Sequence, residues 1–299
     1  MKLIHQVALS DLTSRALLPP GKWKGLFMVF DGVNAAAVDF SATKMGSCRI
    51  NVDGREKANF NLDKMAQLNK LDMGAIEETN ATGAAFRYSC FVPLTEYFKE
   101  FAYISRVEKR IEIVNTFSTL TVAVAASGNF KLYGIPSDEN LLCPYEVFYN
   151  DYDLTFGAAV TAKPEKIEYD NISRILVEAD AQLTSLSLKK DGESFFDQID
   201  KDDLNAFTAL VTKTETYSAS LAWYVLDLKQ NGEPPTSVND SIQLIFTVAA
   251  ACTIRLLVET INLTPSKMAE SQFTADLSNR AKENRKSDKG ISNIVGLLT

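Results

Sequence analysis

Histidine is almost missing from this chain: His5 stands alone among 299 residues. Its scarcity removes Ser-His-Asp and Cys-His catalysis as ordinary options, and with them most histidine-bearing metal centres. Cysteine is sparse too. Cys48, Cys90, Cys143 and Cys252 lie far apart with no C-x-x-C, so neither a zinc ribbon, a redox pair nor a disulfide framework is indicated. Cys90 and Cys252 fall in apolar, strand-like runs and read as small buried hydrophobes. There is no G-x-x-x-x-G-K-[ST] loop and no G-x-G-x-x-G after a strand. No cofactor and no metal ion is expected. No apolar run approaches the roughly 18 residues of a membrane-spanning helix; the most hydrophobic stretch, Phe246–Cys252, is soon interrupted by Arg255. Residues 1–9 carry no apolar core of signal-peptide length, so the sequons at Asn80, Asn171, Asn239 and Asn262 read as coincidence. A net charge of −7 argues against a nucleic-acid footprint, and no sequence-specific nucleic-acid binding is expected.

Carboxylates are plentiful, with 38 Asp and Glu residues, so accidental pairs are guaranteed. The densest clusters are Asp151/Asp153 and Asp200/Asp202/Asp203. Asp200 is better explained as a helix cap followed by first-turn acids that suit the helix dipole. Asp151 and Asp153 suit a hard cation such as Ca²⁺, but no EF-type spacing surrounds them. No acid is marked as a catalyst, and an enzyme is not expected. The aromatic groups, Tyr97-Phe98, Phe101, Tyr103 and Tyr145 to Tyr152, can stack on sugars or bases, but more often fill cores and subunit contacts.

What the chain does have is a passage that occurs twice. Cys48-Arg-Ile-Asn-Val-Asp-Gly54 is followed by Asn61-Leu-Asp-Lys64 and Leu68-Asn69; Leu186-Ser-Leu-Lys-Lys-Asp-Gly192 is followed by Gln198-Ile-Asp-Lys201 and Leu204-Asn205. Each copy reads as strand, Asp-Gly turn, second segment, then a helix begun by an acid. The separation is too long for a solenoid and indicates two related domains.

Many short β-favouring runs and few helical ones surround these passages. Trp23–Phe30 reads as a strand closed by Asp31-Gly32. Gly46–Val52 alternates as a half-buried strand, and Asn61 or Asp63 begins a short helix. Phe86–Leu94 is strand-like, ended by Pro93, and Arg110–Ala126 is a long β-favouring run. In the second half Ile172–Ala179, Leu183–Lys190, Ser220–Leu228, Ser241–Ala250 and Cys252–Ile261 read as strands, with a helix from Asp200. The fold class is all-β: two tandem eight-stranded jelly-roll β-barrels with short helices and terminal tails. The expected bounds are an arm over 1–21 stopped by Pro19-Pro20, a first jelly roll over 22–162, a second over 163–265 after a linker at Ala162–Lys166, and a tail over 266–299.

A duplicated β-barrel chain with no usable catalytic set resembles the double jelly-roll major capsid proteins of the PRD1–adenovirus lineage. It is most similar to those of membrane-containing tailless phages, PM2-like or flavobacterial. The paired passages at Cys48–Asn69 and Leu186–Asn205, the Phe91-Val-Pro-Leu94 strand end and the matched terminal strand runs carry the resemblance over roughly residues 22–263. It implies a structural protein of the virion capsid, assembled in the host cytoplasm, forming pseudo-hexagonal homotrimeric capsomers of an icosahedral shell over an internal membrane. Its partners would be its own copies, neighbouring capsomers, penton or minor capsid proteins, and lipid. The basic tail residues Arg280, Lys282, Arg285, Lys286 and Lys289 would contact membrane or a neighbouring subunit; a plain solvated helix is the other reading of that segment. Two alternatives stay open: a two-domain carbohydrate-binding module, and a glycoside hydrolase using paired acids.

Overall fold

The computed structural model describes residues 1–34, 40–74, 78–80, 85–95, 103–105, 110–120, 122–137, 146–169, 171–178, 182–212, 223–228 and 241–262. The first ten strands are β1 (Lys2–Ala8), β2 (Thr13–Leu17), β3 (Gly21–Val33), β4 (Ser47–Val52), β5 (Arg55–Asn61), β6 (Glu78–Asn80), β7 (Ala85–Pro93), β8 (Tyr103–Ser105), β9 (Ile111–Thr116) and β10 (Asn129–Pro136). Helix α1 (Leu62–Met73) follows β5, and a short helix α2 (Val122–Ser127) precedes β10. The remaining strands are β11 (Glu146–Phe156), β12 (Val160–Ile167), β13 (Ile172–Glu178), β14 (Leu183–Lys190), β15 (Glu193–Asp200), β16 (Trp223–Asp227), β17 (Ile242–Val248) and β18 (Cys252–Asn262), with helix α3 (Lys201–Val211) after β15.

Strand order shows the duplication. One sheet runs β1-β10-β3-β7-β6, with β8 also on β3; a second runs β16-β13-β18-β11-β5-β4-β9-β2; a third runs β12-β17-β14-β15. Number the strands within each half and the orders coincide. β1-β10-β3-β7 matches β11-β18-β13-β16, and β2-β9-β4-β5 matches β12-β17-β14-β15. Each half is therefore an eight-stranded jelly roll, two four-stranded sheets facing across a core. The middle sheet belongs to both halves: β5 of the first meets β11 of the second in a parallel contact at Asn59 and Asn150.

The repeated passage folds the same way twice. Asp53 and Gly54 have φ of 53° and 78°, and Asp191 and Gly192 have 51° and 83°. Positive φ at both central residues is the two-residue turn that suits the twist of a hairpin, and Asp-Gly supplies it at low strain. Asp200 caps α3, accepting from the Asp202 and Asp203 amides at 2.9 Å each, which contributes about 1 kcal/mol. Asn61 holds the corresponding place before α1 but makes no side-chain capping bond.

Several sequence expectations are corrected. Residues 2–17 are not a loose arm: β1 pairs with β10 and β2 with β9. A register shift between Leu3 and His5 breaks the alternation that would have revealed β1. The expected linker lies inside β12. Pro164, which has no N–H to donate, is tolerated because β12 is an edge strand. The second barrel starts with β11, upstream of that point. Asp31-Gly32 continues β3 and pairs with Arg87 and Phe86. Of the long run at Arg110–Ala126, only Ile111–Thr116 is strand; Val122 onward is helical. The expected tail, with Arg280, Lys282, Arg285, Lys286 and Lys289, lies outside the described residues, as do Tyr97, Phe98, Phe101, Cys143 and Tyr145.

Candidate functional site: the seam between the barrels

Helix α1 is built from good helix formers, Leu, Lys, Met, Ala and Gln. It ends at Gly74, whose φ is 82° and whose N–H returns to the Lys70 carbonyl, a left-handed stop that favours glycine. Its burial is unusual. Leu62, Met65, Ala66, Leu68 and Leu71 are buried, and so are Asp63, Lys64, Asn69 and Asp72. A short helix covered on nearly all sides has to satisfy its polar groups inside the protein.

On one side α1 lies along β7, where Asn69 accepts from the Phe91 N–H at 2.7 Å and donates to its carbonyl at 2.9 Å; on the other it is covered by the outer face of β11-β18-β13-β16. Alternate residues of these strands serve different cores. Ile175, Val177, Leu256 and Val258 point into the second barrel, whereas Leu176, Leu257 and Val225 join the core that contains α1. Both faces of the sheet are thus dry. Each large apolar side chain removed from water there contributes on the order of 1.5–3 kcal/mol.

Ion pairs cross the seam in three places. Lys64, with none of its side chain exposed, sets its Nζ 2.6 Å from Asp153 and 3.2 Å from Asp151 on β11. The Leu256 carbonyl accepts from the same ammonium at 3.2 Å. The Asn61 amide donates to the other Asp151 oxygen at 2.9 Å. At the helix start, Asp63 accepts from Arg255 Nη2 at 2.8 Å, and Arg255 Nη1 reaches Glu178 at 2.6 Å. At the far end, Arg174 Nη1 donates to both oxygens of Asp72 at 3.0 Å, while its Nε and Nη2 reach Glu259 at 3.1 and 2.8 Å. Ser173 Oγ donates to the second Glu259 oxygen at 2.6 Å. Planar, forked arginine contacts of this kind fix orientation as well as contributing energy.

Burial pushes the Asp151 carboxyl above its ordinary value, with Lys64 pulling the other way. Burial raises Glu178 against the opposing pull of Arg255. Burial works to lower Arg174, but Glu259 and Asp72 more than offset it and hold the guanidinium charged. Burial also raises Tyr149, with the Glu259 charge adding to it.

The structure thus gives Asp151 and Asp153 a partner other than the cation suggested by their spacing: a lysine from the other barrel. Asp200 is the cap expected for it. Cys48 and Cys90 are buried, and burial raises both thiols far out of the reactive range; Cys252 is partly exposed. Among the described residues no group of three or more His, Cys, Asp or Glu side chains is placed to hold a metal, and no helix is long and apolar enough to cross a membrane. Beside the β5–β11 junction lies an open cleft of about 410 Å³, lined by Glu56, Lys57, Phe148, Asn150, Tyr169 and Asn171 among others. Among the described residues that line it Glu56 is the single carboxylate, so the paired acids of a glycosidase do not meet there.

Sequence reasoning missed Lys64, Arg174 and Arg255. A signal for the first was present: apolar residues occupy most of the α1 circumference, the mark of a helix buried all round, in which a lysine requires a partner.

No family model and no curated protein matches the chain. Solved structures do. A chain of the atomic structure of Sulfolobus Turreted Icosahedral Virus superposes with a TM-score of 0.65 at 12% identity, covering 96% of this chain and 99% of that one. PBCV-1 VP54, fitted into a reconstruction of the virophage Sputnik, gives 0.61 at 8% identity over 87% and 92%. The major capsid protein P2 of bacteriophage PM2 gives 0.53 at 11% over 88% and 95%. The fold is the double jelly roll of viral major capsid proteins. The likeness runs through both barrels of each of these chains, and it survives at identities where only architecture is left to compare.

Proposed function

We propose that this chain is a structural major capsid protein whose two barrels stand side by side as a rigid brick, three bricks making a pseudo-hexagonal capsomer of an icosahedral virion. The observation that carries this reading is the identical strand order in the two halves, together with the seam that fastens them. Duplicated barrels present near-sixfold contacts from threefold symmetry, and repeated self-contacts close an assembly. Nothing in such a role requires a catalyst or a cofactor. The strand orders support bounds of 2–136 and 146–262 for the two barrels.

On this reading the chain resides in the virion capsid, is assembled in the host cytoplasm, and meets neighbouring capsomers and penton or minor proteins. The tail residues Arg280, Lys282, Arg285, Lys286 and Lys289 face an internal membrane, where each cation near an anionic surface contributes about 1 kcal/mol. A carbohydrate-binding module or glycoside hydrolase is the weaker reading, since the Asp151/Asp153 pair is engaged by Lys64 and the seam cleft offers one carboxylate.

The test is the purified full-length chain in native mass spectrometry and negative-stain electron microscopy. The expected result is a species of three chains with a hexagonal outline. A chain that stays monomeric and binds or cleaves glycans overturns the proposal. Deleting residues 266–299 should abolish co-flotation with anionic vesicles while leaving the barrels folded; unchanged flotation overturns the membrane role of the tail.

A further inference from the structure

The seam is one half of a duplicated pair of surfaces, and among the described residues the other half has no counterpart within the chain. Helix α1 of the first barrel lies on the outer face of the second barrel's β11-β18-β13-β16 sheet. Its equivalent, α3, follows the same hairpin in the second barrel but is solvent-facing: Lys201, Asp202, Asp203, Ala206 and Leu210 are exposed, Leu210 at 84%. Asp203, Ala206, Phe207 and Leu210 fall on one face by helical spacing, an acid followed by an apolar stripe in which Ala206 and Leu210 are exposed and Phe207 is half-buried.

The sheet equivalent to α1's seat is β1-β10-β3-β7, and its outer face repeats the features of that seat. Leu26, Met28 and Phe30 of β3 point into the core, so Phe27, Val29 and Asp31 lie on the outer face, where Val29 is already buried and Phe27 and Asp31 are partly exposed. Leu3 pairs with Tyr133, Tyr133 with Phe27, and Phe27 with Phe91, an apolar row across four strands. Leu3 is 49% exposed and the other three are partly exposed. Beside that row Lys131 on β10 pairs with Asp31 on β3. The seam has the same layout: Arg255 on β18 pairs with Glu178 on β13, and two residues along β18 comes Leu257, in register with Leu176 and Val225. In the seam an acid of α1, Asp63, completes the Arg255–Glu178 pair. Helix α2 sits at the far end of the first sheet, bonded through Ser127 to Val33, six residues along the strand from Phe27.

We propose that α3 of one copy seats on the outer face of β1-β10-β3-β7 of a second copy, as α1 seats on β11-β18-β13-β16 within the chain. Leu210, Phe207 and Ala206 lie on the Tyr133–Phe27–Phe91 row, and Asp202 or Asp203 joins the Lys131–Asp31 pair. The inference rests on the capsomer reading and specifies its contact. It also makes the two seams unequal. Lys64 is buried against Asp151 and Asp153 of β11, whereas β1, the counterpart of β11, carries no carboxylate. The contact between copies is therefore the weaker of the two, formed after each brick has folded.

The test compares the full-length chain with Leu210→Asp and Ala206→Arg by native mass spectrometry across concentration, and places a photo-crosslinking residue at position 210. Both positions are exposed, so far-UV circular dichroism should be unchanged, and so should Tm at a concentration where the parent is a single chain. The expected result is a three-chain species in the parent, at least tenfold weaker association in each variant, and cross-links from position 210 to the peptides of another chain that carry Phe27 or Tyr133. Three-chain species that persist in both variants and cross-link elsewhere overturn this docking but leave the capsomer reading standing. A parent that remains a single chain at every concentration overturns both.

Discussion

The ammonium of Lys64, on the helix of the first barrel, lies 2.6 Å from the carboxylate of Asp153 on the opening strand of the second, and no part of that lysine side chain meets solvent. The two partners are not equivalent. Asp153 is 44% exposed and Asp151 23%, so Asp153 can hydrate if the lysine is lost, and Asp151, whose Oδ1 is buried, can take up a proton, but the lysine cannot hydrate if they are lost. Lys64→Met keeps the aliphatic stem and should cost about 1–2 kcal/mol. Asp153→Asn strands a buried cation beside one remaining acid and should cost about 2–4 kcal/mol. Urea denaturation of the two variants checks the order; a Lys64→Met that is the more destabilised refutes it.

Arg174 carries a different kind of load. One guanidinium nitrogen serves both oxygens of Asp72 from the first barrel, and two others serve Glu259. Lysine is a point charge without the planar fork. Arg174→Lys should therefore lose about 2–3 kcal/mol although the charge is kept, and Arg174→Leu about 3–5 kcal/mol because Glu259, only 3% exposed, loses its main partner. Chemical denaturation gives both figures. A lysine variant as stable as the parent would show that charge alone holds the seam.

What could be read from the sequence was what local geometry dictates. Asp53-Gly54 and Asp191-Gly192 must turn because few other pairs adopt two positive φ values, and Asp200 must cap because first-turn amides need an acceptor. The duplication was visible for the same reason, since it is carried by those turns. β1 was hidden by its bulge, and β12 by a proline that only an edge position permits. The helix at Val122–Ser127 was hidden because Val and Thr favour strands while the surroundings decide otherwise. The seam was least legible. Lys64 and Lys201 align in the repeated passage, yet Lys64 is the third residue of α1 and fully buried, whereas Lys201 is the first of α3 and exposed. Their fates depend on which sheet lies above the helix, and the partners of Lys64 are about ninety residues away in the chain.

Glycine positions give a test of the barrel backbone that does not involve the seam. Gly46, with φ of 80°, lies so close to β9 that an added Cβ would stand 2.0 Å from the Thr116 carbonyl oxygen. Gly46→Ala combines left-handed strain with a backbone clash and should destabilise by about 3 kcal/mol or more. Gly54, with φ of 78°, has nothing within 4 Å, and Gly54→Asn should cost under about 1 kcal/mol, since asparagine tolerates that conformation. Thermal melts of the pair should separate widely; equal shifts would mean that the approach of Gly46 to Thr116 is wrong.

The seam also makes a prediction about acid. Asp151 and Glu178 have native pKa values above their ordinary 3.8 and 4.5, each because burial outweighs a nearby cation. A carboxyl whose native value is raised binds its proton more tightly when folded. Its contribution to stability is complete below the unfolded value and is lost as the pH climbs through the native one. In this window the two groups favour the folded chain on mild acidification, opposite to the usual behaviour of ion-paired carboxylates. Asp151→Asn cannot ionise, so its stability relative to the parent should rise as the pH climbs from the ordinary value of 3.8 through the raised native one, and level off above it. Urea midpoints of parent and variant at half-unit intervals measure that difference. If the parent instead gains on the variant as pH rises, the pull of Lys64 exceeds the cost of burying Asp151, and the balance assigned to this pair is inverted.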